Sequence, residues 1–292
     1  MSAVSAQDRY STGLQLFRSG TYHLAEKMLK EAIALDPEHD ASHALLALTL
    51  HYLGRNSEAL AASSASLAIR PNLDALRARA LASVEMGLPS AAVAAAVDAV
   101  ALMPASAWAH HTLGWSYEKA NRFPQAEEHF QRSATLAPGD TSLQADYGRF
   151  LIRRGRLQDA EAVAAVIGPH VDTNVVLLLR GEIALWRNRN QEARDHALWI
   201  LSRNAQHRPA LTLLTLATAN KKPLLKLWWR HTQIVSIKPR WMRAAWLGLF
   251  IGAGVAMRGV PMLFMVYLSI ARAHVKSQVA AELKQVRLSK GF

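Results

Sequence analysis

The sequence predicts an all-α protein whose first 206 residues form a solenoid of six helical hairpins. Three series of residues indicate this fold, because each recurs every 33 or 34 positions along the chain. The first series is Gly13, Ala47, Leu81, Gly114, Gly148 and Gly181. The second is Ala25, Ala59, Ala92, Ala126, Ala160 and Ala193, and the third is Pro37, Pro71, Pro104 and Pro138. A period of this length is typical of stacked helical repeats.

Each period fits a pair of antiparallel helices. The small residue of the first series and the alanine of the second would lie where the two helices cross closely, since a bulky side chain there would push them apart. The proline would end the second helix, because it lacks an N–H group. Four glycines fall at the predicted turn inside a hairpin, where a left-handed backbone is tolerated: Gly20, Gly54, Gly87 and Gly155.

These residues resemble a known family. The best-matching segment reads His110-x2-Leu113-Gly114-x2-Tyr117, then Ala126-x3-Phe130 and Pro138. It resembles the tetratricopeptide (TPR) consensus, with histidine in place of the usual first tryptophan. Residues 6–39 resemble the consensus nearly as well. The resemblance covers residues 6–206 and implies a right-handed TPR solenoid, so we assign residues 1–206 to six TPR units.

A degenerate seventh hairpin, or capping unit, is expected over residues 207–240. Its helices would span about residues 209–220 and 223–237, with Pro239 in the position of the terminal proline. Leu227 occupies the usual alanine position, so packing there must differ from the other units. Terminal repeats of solenoids are commonly atypical.

The resemblance also implies which residues line a peptide-binding groove, namely five positions on the first helix of each unit. The principal candidates are Tyr10, Phe17, Tyr52, Trp108, His111, Trp115, Lys119, Arg149, Arg153 and Trp186. Other positions assigned to the groove are Leu14, His51, Glu118, Ile152, Glu182 and Leu185. In the third unit the groove is predicted to be almost all alanine, through Ala75, Ala78 and Ala82.

Tryptophan and arginine often dominate interface energies, so a protein or peptide segment is the expected occupant of this groove. The alternative is that Trp108 and Trp115 only pack between neighbouring units. A chaperone C-terminal carboxylate is not the expected ligand, because no unit has asparagine at the ninth position, where the family's carboxylate clamp requires it.

Charge is distributed unevenly along the chain. Residues 1–200 contain 19 Lys/Arg and 21 Asp/Glu, whereas residues 201–292 contain 15 Lys/Arg and one acid, Glu282. A basic region of this kind indicates a polyanionic partner, either phospholipid or nucleic acid.

A hydrophobic block within this region favours the membrane. Residues 244–271 contain one charge, Arg258, and we predict a membrane hairpin over residues 241–275 with helices at 241–257 and 260–275. Helices of about 17 residues reach only about 25 Å, so the hairpin either thins the bilayer or re-enters one leaflet. Both flanks are basic, so both are expected in the cytoplasm, which requires an even number of crossings or none.

Several residues in and beside this block support the predicted membrane hairpin. Gly248 and Gly252 have the spacing of closely packed membrane helices. Trp241, Trp246 and Tyr267 would anchor the hairpin at the interface, and Arg258 would lie at its turn. Residues 276–292 would form a basic amphipathic tail, with Val279 on its apolar side, that lies on the membrane surface or pairs with a partner helix.

No catalytic, cofactor or metal site is expected. The chain has no cysteine, no HExxH motif, no phosphate-binding glycine loop and no G-x-S-x-G elbow. The N-terminus has neither a basic start nor an apolar run, so no secretory signal is expected. The alanine and arginine content of the whole chain is typical of bacterial proteins. In a bacterium, the predicted membrane would be the inner membrane.

The sequence thus predicts a membrane-tethered TPR scaffold that binds a protein or peptide client, with its repeats in the cytoplasm. One alternative is a soluble adaptor whose hydrophobic block forms an oligomer or partner interface. A nucleic-acid-binding TPR protein is the less favoured alternative, because it does not explain the apolar block. An oligomer is compatible with all of these.

Overall fold

The protein is described here by a computed structural model, which covers residues 5–168, 171, 173–220, 277 and 279–281. That part of the chain contains thirteen α-helices and no β-strand, and the predicted all-α repeat fold is confirmed. The helices are α1 (Ala6–Arg18), α2 (Tyr22–Leu35), α3 (Asp40–Tyr52), α4 (Asn56–Ile69), α5 (Leu73–Glu85), α6 (Pro89–Leu102), α7 (Ala107–Lys119), α8 (Phe123–Leu136), α9 (Thr141–Arg153), α10 (Leu157–Ile167), α11 (Asn174–Trp186), α12 (Asn190–Arg203) and α13 (Arg208–Ala219). The chain divides within α9 into two compact units, Met1–Phe150 and Leu151–Phe292.

In the first unit the helices pack as consecutive hairpins. Helix α1 pairs with α2, α3 with α4, α5 with α6, and α7 with α8. The first helices of the hairpins also contact each other in order, α1 with α3, α3 with α5, and α5 with α7. The odd-numbered helices of this unit therefore form one layer, and the residues on its open side are candidates for binding.

The first helix of a hairpin begins at a side-chain cap. Ser5 forms a capping box with Asp8, Asn72 accepts from the Ala75 N–H at 2.8 Å, and Ser106 accepts from the Ala109 N–H at 3.3 Å. Such caps satisfy backbone donors that have no partner in the first turn. The even-numbered helices of the first unit have no side-chain cap and follow tight turns instead.

These tight turns need one residue in the left-handed region. Gly20, Gly54, Gly87 and Gly155 adopt φ values between +74° and +79°, which confirms their predicted role. The remaining two turns use Asn121 (φ 59°) and Asn188 (φ 63°). Asparagine tolerates this conformation better than other residues with a side chain, so it replaces glycine at these turns.

The close helix crossings lie where the repeat series predicts them, except in the third unit, where the fully buried residue is Ala80 rather than Leu81. All six alanines of the second series are fully buried. A Cβ atom added at Gly114 would lie 3.1 Å from both the Ala126 carbonyl oxygen and the Phe130 backbone nitrogen. The α7–α8 crossing thus leaves no room for a side chain at Gly114, and the packing of this hairpin depends on that glycine.

The second unit contains α10 to α13. An apolar cluster joins α11, α12 and α13 through buried residues such as Leu178, Ile200 and Leu214. Asn220, which follows α13, donates to the side-chain oxygens of Asn188 at 3.3 Å and Asn190 at 2.6 Å. Helix α13 lies where the first helix of the seventh hairpin is expected, and the second helix of that hairpin is outside the described residues.

None of the helices in the described residues is both long and apolar enough to span a bilayer. The predicted membrane hairpin lies outside those residues, together with its proposed anchors Trp241, Trp246, Gly248, Gly252, Arg258 and Tyr267.

Candidate protein-binding face

On the odd-helix layer of the first unit, Trp108 of α7 lies beneath an arginine of the preceding odd-numbered helix. The Arg77 Cζ atom of α5 is 4.7 Å from the Trp108 ring centroid, within the range of a cation–π contact. Asp74 accepts from Arg77 Nη1 at 3.1 Å and so holds the guanidinium in place. Trp108 is nevertheless 36% exposed, so part of its indole ring remains available to a partner.

His111 continues these contacts from α7 to α9. Its ring meets the Trp108 ring edge-on, with centroids 5.5 Å apart. His111 Nε2 is 3.1 Å from Asp146 Oδ2, and Arg149 Nη1 donates to Asp146 Oδ1 at 3.3 Å. Asp146 therefore joins a side chain from α7 to a side chain on its own helix.

Six residues form a continuous set of contacts across α5, α7 and α9, which we name the aromatic–basic ladder: Asp74, Arg77, Trp108, His111, Asp146 and Arg149. Each arginine of the ladder contacts an aspartate, so charge is balanced locally while the aromatic rings remain partly exposed. Such an arrangement holds its side chains in place before a partner arrives, which lowers the entropy lost on binding.

Two further predicted residues lie together on α7. The Lys119 Nζ atom is 5.3 Å from the Trp115 ring centroid, and Lys119 is exposed whereas Trp115 is half-buried. They extend the basic and aromatic character of this helix towards its C-terminus.

An aromatic cluster lies at the other end of the first unit. The Tyr22 and Tyr52 rings stack with centroids 5.0 Å apart, and Phe17 contacts Tyr52 edge-on at 5.5 Å. Tyr52 is 50% exposed. Burial raises the pKa of Tyr22 above its usual value.

Tyr10 contacts the His39 ring, with centroids 5.2 Å apart. Burial, followed by the nearby Asp74 carboxylate, raises the pKa of Tyr10.

The second unit contains two predicted groove residues. Arg153 is exposed at the end of α9, and Trp186 is half-buried at the end of α11.

Five of the positions assigned to the groove are corrected by the structure. Ala75, Ala78 and Ala82 are fully buried, because the register assigned to the third unit was shifted by one residue, or about 100° around the helix. The positions of α5 that correspond to Trp108 and His111 are Asp74 and Arg77. Ile152 and Leu185 are buried as well and belong to the core.

Asp74, Arg77 and Asp146 were absent from the prediction. The first two could have been found by keeping the 33- to 34-residue register through the third unit, since they precede Trp108 and His111 by 34 residues. Asp146 is outside the five family positions, and no sequence signal identifies it.

A partly buried histidine pair, His110 of α7 and His129 of α8, lies on the other side of α7. His110 Nδ1 and His129 Nδ1 are 2.9 Å apart, and His110 Nε2 donates to the Pro104 carbonyl at 3.0 Å. Burial, followed by His110, lowers the pKa of His129. Within the described residues, no group of three or more histidine, aspartate or glutamate side chains is arranged to hold a metal ion.

The stacked helical hairpins place this protein in the class of helical repeat proteins, and one surface of the repeats exposes aromatic and basic side chains. Two tetratricopeptide repeat models match the sequence, over residues 77–141 and 119–175. The model "Anaphase-promoting complex, cyclosome, subunit 3" matches residues 1–66. Residues 77–175 thus match tetratricopeptide repeats, as the sequence pattern predicts.

Three solved structures share this fold. PilW, a type IV pilus biogenesis factor, is 20% identical with a TM-score of 0.55, over 72% of this chain and 98% of PilW. TTC0263, a thermophilic TPR protein of Thermus thermophilus, is 22% identical with a TM-score of 0.56, over 62% of this chain and 97% of its own. A chain of the APC/C hetero-tetramer Cut9–Hcn1 is 15% identical with a TM-score of 0.57, over 73% of this chain and 42% of its own. No curated protein sequence matches the chain.

Proposed function

We propose that the protein is a membrane-tethered scaffold, which binds a protein or peptide segment on the aromatic–basic ladder and recruits or assembles other proteins at the membrane. The principal support is Trp108, which is 36% exposed yet fixed between Arg77 and His111. Tryptophan and arginine are enriched among the residues that contribute most to interfaces, and a preorganised tryptophan loses little rotamer freedom on binding.

The structural relatives support this proposal only through their fold. PilW is a pilus biogenesis factor, and the Cut9–Hcn1 chain belongs to a hetero-tetramer. A shared fold permits many functions, so the ladder itself remains the main argument.

Photo-crosslinking tests the binding face directly. A benzophenone amino acid at Lys119, which is exposed beside Trp115, should crosslink to a discrete protein in cells. The matched control places the same probe at Val97, which is exposed on the even-numbered helix α6. We expect the Lys119 adduct to disappear when Trp108→Ala is added. Equal adducts from both probes, or none from Lys119, would contradict the proposal.

The tether is proposed from residues 241–275 and their basic flanks. We propose that this hydrophobic hairpin enters the membrane while the repeats remain on the cytoplasmic side, at the inner membrane if the source is bacterial. Membranes from cells with the full-length protein, or with a truncation ending at Arg240, should be washed with high salt and with alkaline carbonate. The tether predicts that only the full-length protein stays in the membrane after both washes.

The same washes separate the two alternatives. A full-length protein found entirely in the soluble fraction would favour an adaptor whose hydrophobic block forms an oligomer or partner interface. Release by salt alone would favour a peripheral or nucleic-acid attachment, because such contacts weaken as ionic strength rises.

A further inference from the structure

Near its C-terminus the chain has a buried residue, Val279, that packs against the second unit. Val279 is 7% exposed and belongs to the apolar cluster formed by residues of α11, α12 and α13. Ser277, Ala280 and Ala281 are exposed. Only one side of this short stretch therefore faces the repeat core.

This position differs from the one expected for the basic tail, namely the membrane surface or a partner helix. Val279 lies on the side of the tail that the sequence predicts to be apolar, and that side meets the chain's own repeats at this residue. The apolar cluster that contains Val279 also contains Leu213, Leu214 and Ala217 of α13.

The chain is also fixed to the second unit where α13 ends. Asn220 donates its side-chain amide to Asn188 and Asn190, which lie at the turn between α11 and α12 and at the start of α12. Asn220 and Val279, which lie on either side of the hydrophobic block in sequence, therefore both contact helices of the second unit.

We propose that Val279 acts as an intramolecular clasp, which holds the C-terminal tail on α11–α13 and keeps both flanks of the hydrophobic block on one face of the membrane. A single crossing would separate the two flanks by a hydrocarbon core of about 30 Å, and Val279 could not then reach the cluster. The clasp thus permits an even number of crossings or none. The statement about topology rests on the proposed membrane tether, whereas the clasp does not.

The clasp can be measured first, without reference to a membrane. Because the chain has no cysteine, a single cysteine can be introduced at any position of the full-length protein. Val279→Cys is compared with Ala280→Cys, its exposed neighbour, through the rate of reaction with a maleimide in mild detergent. We expect the cysteine at 279 to react at least 10-fold more slowly, with both rates becoming equal in urea. Equal rates in the native protein would overturn the clasp.

The topology is measured second, in sealed membrane vesicles. Thr212→Cys on α13 and Ser277→Cys beside Val279 are both at exposed positions, so a membrane-impermeant maleimide reaches either one if it is on the outer face. We expect both to be labelled from the same face, to within twofold, and both to be protected in vesicles of the opposite orientation. Labelling from opposite faces would overturn the inference.

The cysteine reaction rates and the carbonate wash together distinguish failure of the clasp from failure of the tether. If carbonate extracts the full-length protein but the cysteine at 279 still reacts slowly, the tether is wrong and the clasp stands. If the protein resists carbonate but the cysteines at 279 and 280 react equally, the clasp is wrong and the tether stands.

Discussion

Helices α7 and α11 occupy equivalent places in their repeats but present different side chains. His111 of α7 is half-buried and contacts Asp146, whereas Leu178, the equivalent residue of α11, is 4% exposed and belongs to an apolar cluster. Trp115 corresponds to Glu182 in the same way. The repeat register fixes which residues face the same side of each helix, but it does not decide whether that side binds a partner or forms core.

Exchanging the equivalent residues tests this difference. Leu178→His should lower the free energy of unfolding by about 3 kcal/mol, because it removes a buried apolar side chain and buries an imidazole with no prepared partner. His111→Leu should change it by less than about 1 kcal/mol, because it removes one hydrogen bond to the partly exposed Asp146 and keeps an apolar side chain against Trp108. Urea unfolding followed by circular dichroism measures both, and similar losses would show that the two positions do not differ.

The close crossing of α7 and α8 predicts a second large effect. Gly114→Val should destabilise the protein by about 2 kcal/mol, because its side chain would meet backbone atoms of α8 rather than flexible side-chain ends. Gly139→Val is the control, since no atom lies within 4 Å of a Cβ added there. Thermal unfolding should show a lowered Tm for the first variant only, and an unchanged Tm for Gly114→Val would contradict the packing.

The histidine pair predicts a loss of stability in acid. The pKa of His129 is lowered in the folded state, so the unfolded chain binds a proton first as the pH falls below about 6.5. The contribution of His129 to the free energy of unfolding is therefore fully present above that pH and is lost as the pH falls below it.

His129→Gln should therefore flatten the stability profile between pH 7 and about pH 5. His23→Gln, on the exposed surface of α2, provides the control for the loss of one histidine. The free energy of unfolding is measured in urea at each pH. If it falls equally with pH in the wild type and in His129→Gln, the histidine pair does not cause the loss of stability in acid.

The smallest effect is expected for an exposed ion pair of the second unit. Arg187 of α11 donates to Glu161 of α10 at 2.7 Å and 2.9 Å, and this pairing lowers the pKa of Glu161. A double-mutant cycle with Glu161→Gln and Arg187→Gln should give a smaller energy than any of the losses predicted above, because water screens the pair. A coupling energy as large as the destabilisation by Gly114→Val would contradict a solvent-screened pair.

The repeat architecture was predictable from the sequence, because small residues that recur every 33 or 34 positions are explained most simply by close crossings between paired helices. Gly114 and Ala126 lie at a helix crossing, and Gly20 lies at a turn with a left-handed backbone. Asn121 and Asn188 were missed at two turns because asparagine occurs in many other settings. These features depend on local geometry, which the sequence encodes directly.

The binding face was less predictable, because it depends on contacts between helices far apart in sequence. Trp108 and His111 were identified from the repeat register, but Asp146, which joins His111 to Arg149, is 35 residues from His111. Ala75 shows how a register error of one residue exchanges a surface position for the core. Val279 could be predicted to be on an apolar helix side, but not to pack on α11–α13.

The central proposal is that the aromatic–basic ladder holds a client, and a binding titration tests it most directly. The client fragment crosslinked through residue 119 would be titrated against wild type, Trp108→Ala and the control Val97→Ala, with the Tm of each variant measured in parallel. We expect Trp108→Ala to raise the Kd at least 10-fold with little change in Tm, and Val97→Ala to leave the Kd unchanged. An unchanged Kd for Trp108→Ala, or an equal loss for Val97→Ala, would contradict the proposal that this face binds the client.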